Sequence, residues 1–280
     1  MRLYGRRYRL ELSKVDEYLV VEKLRIAFEL TKSADSAPNE IKVSIWNLSR
    51  ERIDQLLRGD FQSARLWAGY EELRLLFLAD IIKVGVKREG LDWIVELECG
   101  DGDRDYHQSY VSQTLSAGTS REQMVGVALA SMPDTSAGQL ELSRPQRLPR
   151  ARVLFGPTRD VLTDLAGWQD ADWSIQDGQL QMLPRDRVLD DELILLSEET
   201  GMLGSPQLGD DGLTITCLLN PALRVGGQVR LVSRLDWLNG DYKIVRIHYK
   251  GDALEQDWKS TVTVVNQQNR GKPSKERGND

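Results

Sequence analysis

The chain has 280 residues, of which 40% are hydrophobic and 29% charged, enough for two or three domains with real cores and ordinary for a globular protein. Its net charge of −6 argues against a nucleic-acid-binding surface, which needs clustered positive charge. The two cysteines, Cys99 and Cys217, make neither a disulfide framework nor a zinc site and read as buried small hydrophobes.

The N-terminal MRLYGRRYRLEL is basic without an apolar stretch, so no signal peptide is expected, and no apolar run reaches membrane-spanning length. Alternation in YRLEL, KLRIAFEL and IKVSIWNL predicts strands that each bury one face. The polar segment from Ser33 to Asn39, with Pro38, reads as a strand connection. Ser49 is a predicted N-cap, with Glu51 in the first turn, Ile53, Leu56 and Leu57 on one face, and Gly59 as the stop. ARLWAGY, LRLLFLADIIKVGV and DWIVELECG continue the strands to Gly100.

From Gly100 to about Pro184 the pattern changes. Ser120 with Gln123 predicts a capping box, and Met124, Val127, Ala128 and Leu129 supply an apolar stripe that ends at Pro133. A Pro- and Arg-rich link from Arg144 to Arg152 precedes a second helix, opened by Gly156-Pro157, carrying Val161, Leu162 and Leu165 and closed by Gly167. DWSIQDGQLQML is a predicted hairpin, because Asp177-Gly178 favours the positive-φ turn that matches strand twist. LTITCLLN, GGQVRLVS and YKIVRIHY return the chain to strands, and the polar NQQNRGKPSKERGND is an expected disordered end.

Two distant stretches read alike: ADIIKVGVKREGLDWIVELECG and GDYKIVRIHYKGDALEQDWKSTVTVV. Each opens on an aspartate (Asp80, Asp241), reaches a basic residue and glycine (Lys87 to Gly90; Lys250, Gly251), meets Asp-Trp (Asp92-Trp93; Asp257-Trp258) and leaves on a second strand. The repeat predicts a duplicated β-domain, with Trp93 and Trp258 packing at equivalent places. The division that follows is residues 1–100 and 189–265 as two β-domains, 101–188 as an α+β insertion, and 266–280 as the disordered end.

Candidate chemistry is sparse. Asp101, Asp103 and Asp105 have the one-three-five spacing of a calcium loop, but Tyr106 stands where glycine is needed and Ser112 where glutamate is needed, so GDGDRDYH reads as a strand-exit turn. His107 and His248 belong to no ligand motif, and no nucleophile elbow, phosphate loop or dinucleotide fingerprint occurs. The acidic runs Asp190-Asp191-Glu192 and Glu198-Glu199 read as solvated loops, and Trp168 and Trp173 as either local core or an anchor to a neighbour. No catalytic residue, cofactor or metal is therefore expected.

IKVSIWNLS, a short helix, WAGY, LADI and DWIVELECGDGD together resemble the central baseplate hub proteins of tailed bacteriophages, most closely the short hubs of contractile tails. NGDYKIVRIHYKGD followed by Asp-Trp resembles the second repeat of that family, with His248-Tyr249-Lys250-Gly251-Asp252 at its turn. The resemblance extends to about Val265 and implies a mainly β fold: two tail-tube-like β-barrel domains with a small α+β domain between them. It also implies a non-enzymatic homotrimer in the virion tail baseplate, made in the host bacterial cytoplasm and lacking a membrane anchor. Its implied partners are the tail tube or distal tail protein, the central spike and other baseplate proteins. Genomic DNA would pass through the trimer without sequence-specific binding. Three chains with two similar domains each would adapt a six-fold tube to a three-fold spike. The competing readings are a peptidoglycan-degrading or carbohydrate-binding tail component, and a type VI secretion spike-like hub.

Overall fold

The computed structural model of the chain describes residues 5–14, 17–142 and 146–266. Its first strands are β1 (Arg7–Ser13), β2 (Tyr18–Val21), β3 (Ile26–Ser33) and β4 (Glu40–Trp46). Helix α1 (Arg50–Leu57), β5 (Ser63–Gly69), β6 (Leu73–Glu89) and β7 (Asp92–Gly100) follow. Alternation produces the expected one-sided burial: Ile26, Phe28 and Leu30 of β3 face the core, as do Ile41, Val43 and Ile45 of β4. Ser49 caps α1 by accepting from the Arg52 amide at 3.4 Å. Leu56 is buried but Leu57 is exposed, so the buried stripe of this short helix is narrower than predicted.

The middle region comprises α2 (Asp103–Gln108), β8 (Tyr110–Leu115), α3 (Arg121–Leu129), β9 (Ser136–Leu140), β10 (Arg152–Pro157), α4 (Thr158–Gly167), β11 (Ala171–Gln176) and β12 (Gln179–Pro184). It has its own apolar cluster, built from Met124, Leu154, Leu162, Leu165, Trp173 and Met182 among others. Trp173 is thus local core, and Trp168 packs beside it with the Arg152 guanidinium 4.0 Å from its ring centre. β11 and β12 form the predicted hairpin, and both turn residues, Asp177 (φ +55°) and Gly178 (φ +75°), take the left-handed conformation. The Asp-rich run is not a plain strand-exit turn: residues 103–108 close a short helix. The capping box is complete, with Ser120 Oγ accepting from the Gln123 amide at 3.3 Å and Gln123 Oε1 from the Ser120 amide at 2.8 Å. Ser120→Ala is expected to cost about 1 kcal/mol, read as a lower denaturant midpoint with an unchanged m-value.

The last region carries β13 (Ile194–Leu196), β14 (Gln207–Gly209), β15 (Gly212–Leu218), β16 (Gln228–Leu231), β17 (Gly240–Asp252) and β18 (Trp258–Asn266). Asn266 therefore ends a strand, and the rest of the expected disordered end lies outside the described residues. The chain is mainly β. Its principal sheet has 13 strands, and two six-strand runs inside it share one order. The first run is β3-β4-β7-β6-β5-β1 and the second β14-β15-β18-β17-β16-β13. In each, the four central strands are consecutive in sequence, the first lies beside the last, and every adjacent pair is antiparallel. The runs differ at one end, where β1 pairs antiparallel with β5 but β13 pairs parallel with β16.

The two runs meet where Arg246–Asp252 of β17 pairs antiparallel with Ala27–Ser33 of β3. One apolar cluster spans that junction, from Leu10 and Leu66 to Ile215 and Val264. At its centre Trp258 meets Phe28 edge-to-face, with ring centres 5.4 Å apart. Gly251, opposite Trp258, makes room for them: a Cβ there would lie 2.3 Å from the Phe28 ring.

Candidate functional site

The residues singled out for chemistry disperse into structural roles. Asp101 is fully buried and accepts from the backbone amides of Asp177 at 2.6 Å and Gly178 at 3.0 Å. Asp105 turns the other way, accepting from the Asp134 amide at 2.9 Å and the Thr135 hydroxyl at 2.7 Å. Asp103 faces His107 of its own helix at 3.4 Å. His248 lies on the β17–β3 junction, with Nδ1 3.1 Å from the Thr31 hydroxyl and Nε2 3.4 Å from Glu29. Asp191 and Glu198 face Arg224 and Arg234 across loops. Among the described residues, no group of three or more His, Cys, Asp or Glu side chains could hold a metal ion.

A cavity of about 390 Å³ lies where the middle hairpin meets the two strand runs. Its polar lining is Lys32, Arg74, Gln176, Asp177, Gln179, Gln181, Arg224 and Tyr249, and it holds no histidine, cysteine, serine or threonine. Within that lining Lys32 and Asp177 form an ion pair.

What these residues build is a buried polar lock. Lys32, only 6% exposed, donates from Nζ to both oxygens of Asp177, at 2.6 and 2.8 Å. Asp177 also accepts from the Leu78 amide at 3.3 Å, and Asn39 Nδ2 donates to Asp101 at 3.4 Å and to the Ile175 carbonyl at 3.2 Å. The turn of the middle hairpin is thereby tied to β3, β6 and the end of β7. Burial, then the charge of Asp177, push the Asp101 carboxyl up to about 7, while Lys32 and the two amides pull it down. Sequence reasoning identified the Asp-Gly turn but not its partners; the one available signal was a lysine on an otherwise apolar strand face.

The repeated hairpins are in register when counted from their bulges. The extra residue is Ile82 in β6 and Val245 in β17. Lys83 then corresponds to Arg246 and Arg88 to Gly251. Trp93, opposite Arg88, corresponds to Trp258, opposite Gly251. The Asp-Trp pairs coincide, as do Lys87 and Lys250, but the opening aspartates and the glycines do not: Asp80 falls level with Lys243, not Asp241, and Gly251 with Arg88, not Gly90. The environments also differ. Trp258 is 2% exposed, whereas Trp93 is 48% exposed, with the Arg88 guanidinium 5.8 Å from its ring centre. The expectation that both tryptophans pack inside fails for Trp93, because β3 covers β17 and no strand among the described residues covers the matching half of β6.

Comparisons with known proteins find the same fold in phage tail proteins. The fold is similar to a tail protein from Neisseria meningitidis MC58 (TM-score 0.66, 10% identity, 93% of this chain and 96% of that one). It is likewise similar to the 43 kDa tail protein of prophage MuSo2 from Shewanella oneidensis (0.65, 8%, 94% and 99%). A type VI secretion system component from E. coli shares it too (0.57, 9%, 91% and 76%). No curated protein sequence matches the chain. Residues 8–263 match the family described as "Baseplate hub gp41", and the chain belongs to that family. It is a structural component of a bacteriophage tail baseplate, and thus of the virion. No helix among the described residues is long and apolar enough to cross a membrane.

Proposed function

We propose that the chain is the axial hub of the baseplate. Three copies form a ring whose two domains each, residues 1–100 and 189–265, present six similar units to the tail tube or distal tail protein. The opposite face meets a three-fold central spike and other baseplate proteins. Genomic DNA passes through the ring without sequence-specific contacts, and residues 101–188 are an inserted domain on its periphery. The observation that carries this reading is the six-strand order found twice in one chain. A closed ring of three chains turns that internal duplication into near six-fold symmetry. The role is architectural, with no catalysis.

A type VI secretion spike-like hub is the second reading, favoured by the likeness to the E. coli protein, which is a likeness of fold. Nothing in the site favours a peptidoglycan-degrading or carbohydrate-binding component. Native mass spectrometry of the full chain with candidate tube and spike proteins tests the proposal. Complexes holding three copies per spike trimer are expected. Complexes with one or six copies, or peptidoglycan release by the purified chain, would contradict it.

A further inference from the structure

Among the strand edges left open in the described residues, two correspond to paired edges elsewhere in the chain. β6 pairs with β5 only as far as Asp80, so among the described residues its outer half has a bare edge on that side. The matching half of β17 is covered there by β3. β14 occupies in the second run the place of β3 in the first, and among the described residues it pairs only with β15. The match extends to single residues. Leu213 corresponds to Ile41 through their partners on β18 and β7, so Leu208, opposite Leu213, corresponds to Leu30, opposite Ile41. Leu30 is 1% exposed under its partner strand, and Leu208 is 68% exposed without one.

We propose that β14 of one copy pairs antiparallel with the outer half of β6 of the next copy, reproducing between chains the β3–β17 junction within each chain. The proposal rests on the ring-forming reading above and specifies its contact. The internal junction fixes the register: Tyr249 opposite Leu30 and Lys250 opposite Glu29 translate to Val86 opposite Leu208 and Lys87 opposite Gln207. Gly85 then faces Gly209, beyond which the chain turns into β15. A three-residue strand is too short to hold an edge by itself, and an open edge is otherwise an aggregation hazard. Closing three such contacts around a ring leaves neither strand exposed.

The test is a cysteine pair, Lys87→Cys with Gln207→Cys, in the full chain assembled into tails and mildly oxidised. Both parent side chains are exposed, and paired antiparallel residues have Cα atoms roughly 5 Å apart, within disulfide reach. The native thiols are buried, and burial pushes each up to about 12, so Cys99 and Cys217 stay out of the reaction. A covalently closed trimer is expected from this pair, and none from Lys87→Cys with Ser205→Cys, which a two-residue slip would link. Three axial copies without the first crosslink, or with the second instead, would overturn the strand pairing and leave the hub reading intact. Six true six-fold copies, or an off-axis position, in a reconstruction of the same tails would overturn the hub reading itself. As an independent readout, Leu208→Lys should leave the melting temperature of the single chain unchanged. It should lower the yield of ring by about tenfold or more, because it places a lysine opposite Val86. An unchanged ring yield would overturn the pairing.

Discussion

Trp258→Ala is expected to lower the unfolding free energy by about 3–5 kcal/mol, the range for deleting a large aromatic from a packed core. Trp258 is among the largest fully buried side chains, and its ring packs on Phe28 across the junction where β17 and β3 join the two strand runs. The void would open between Phe28 and Gly251, a site with no side chain at position 251 to collapse into it. Trp93→Ala, at the same ladder position of the first hairpin, is expected to cost under about 1 kcal/mol in the isolated chain, since Trp93 is half-exposed there. Urea melts of the two variants check the contrast. Equal losses would mean that the two hairpins sit in similar surroundings, against the geometry described.

Lys32→Ala is expected to cost about 3–5 kcal/mol, because it removes the cation from a buried cluster and leaves two carboxylates close together. The pH dependence has a definite sign. The folded-state carboxyl of Asp101 lies above its ordinary value, so the folded chain holds this proton more tightly than the unfolded chain. Its favourable contribution is complete below the ordinary carboxylate value and is lost as pH rises through about 7. Without Lys32 the carboxyl moves higher still, and the loss extends to higher pH. The destabilisation by Lys32→Ala should therefore be smaller near pH 5 than near pH 8. Denaturant melts at the two pH values check this; a pH-independent cost would show that Asp101 does not respond to Lys32.

What was legible in the sequence was whatever local rules decide. Alternation specified β3, β4, β15 and β18 because each has one wet and one dry face. The capping box and the Asp-Gly turn formed as expected because their partners lie within a few residues. β14 was illegible, since three residues make a strand only beside a partner, and so was α2, whose aspartates resemble those of a turn. The fate of Trp93 was illegible for a related reason: similar hairpins bury or expose the matching tryptophan according to whether another strand lies alongside. The polar lock joins Lys32, Asp101 and Asp177, which no local pattern connects.

Each chain is proposed to supply two similar units to a ring on the tail axis. In a reconstruction of assembled tails at a resolution that traces strands, three copies are expected on the axis, with the β3–β4–β7–β6 and β14–β15–β18–β17 groups alternating around a near six-fold ring; six equivalent copies, or copies away from the axis, would contradict this arrangement.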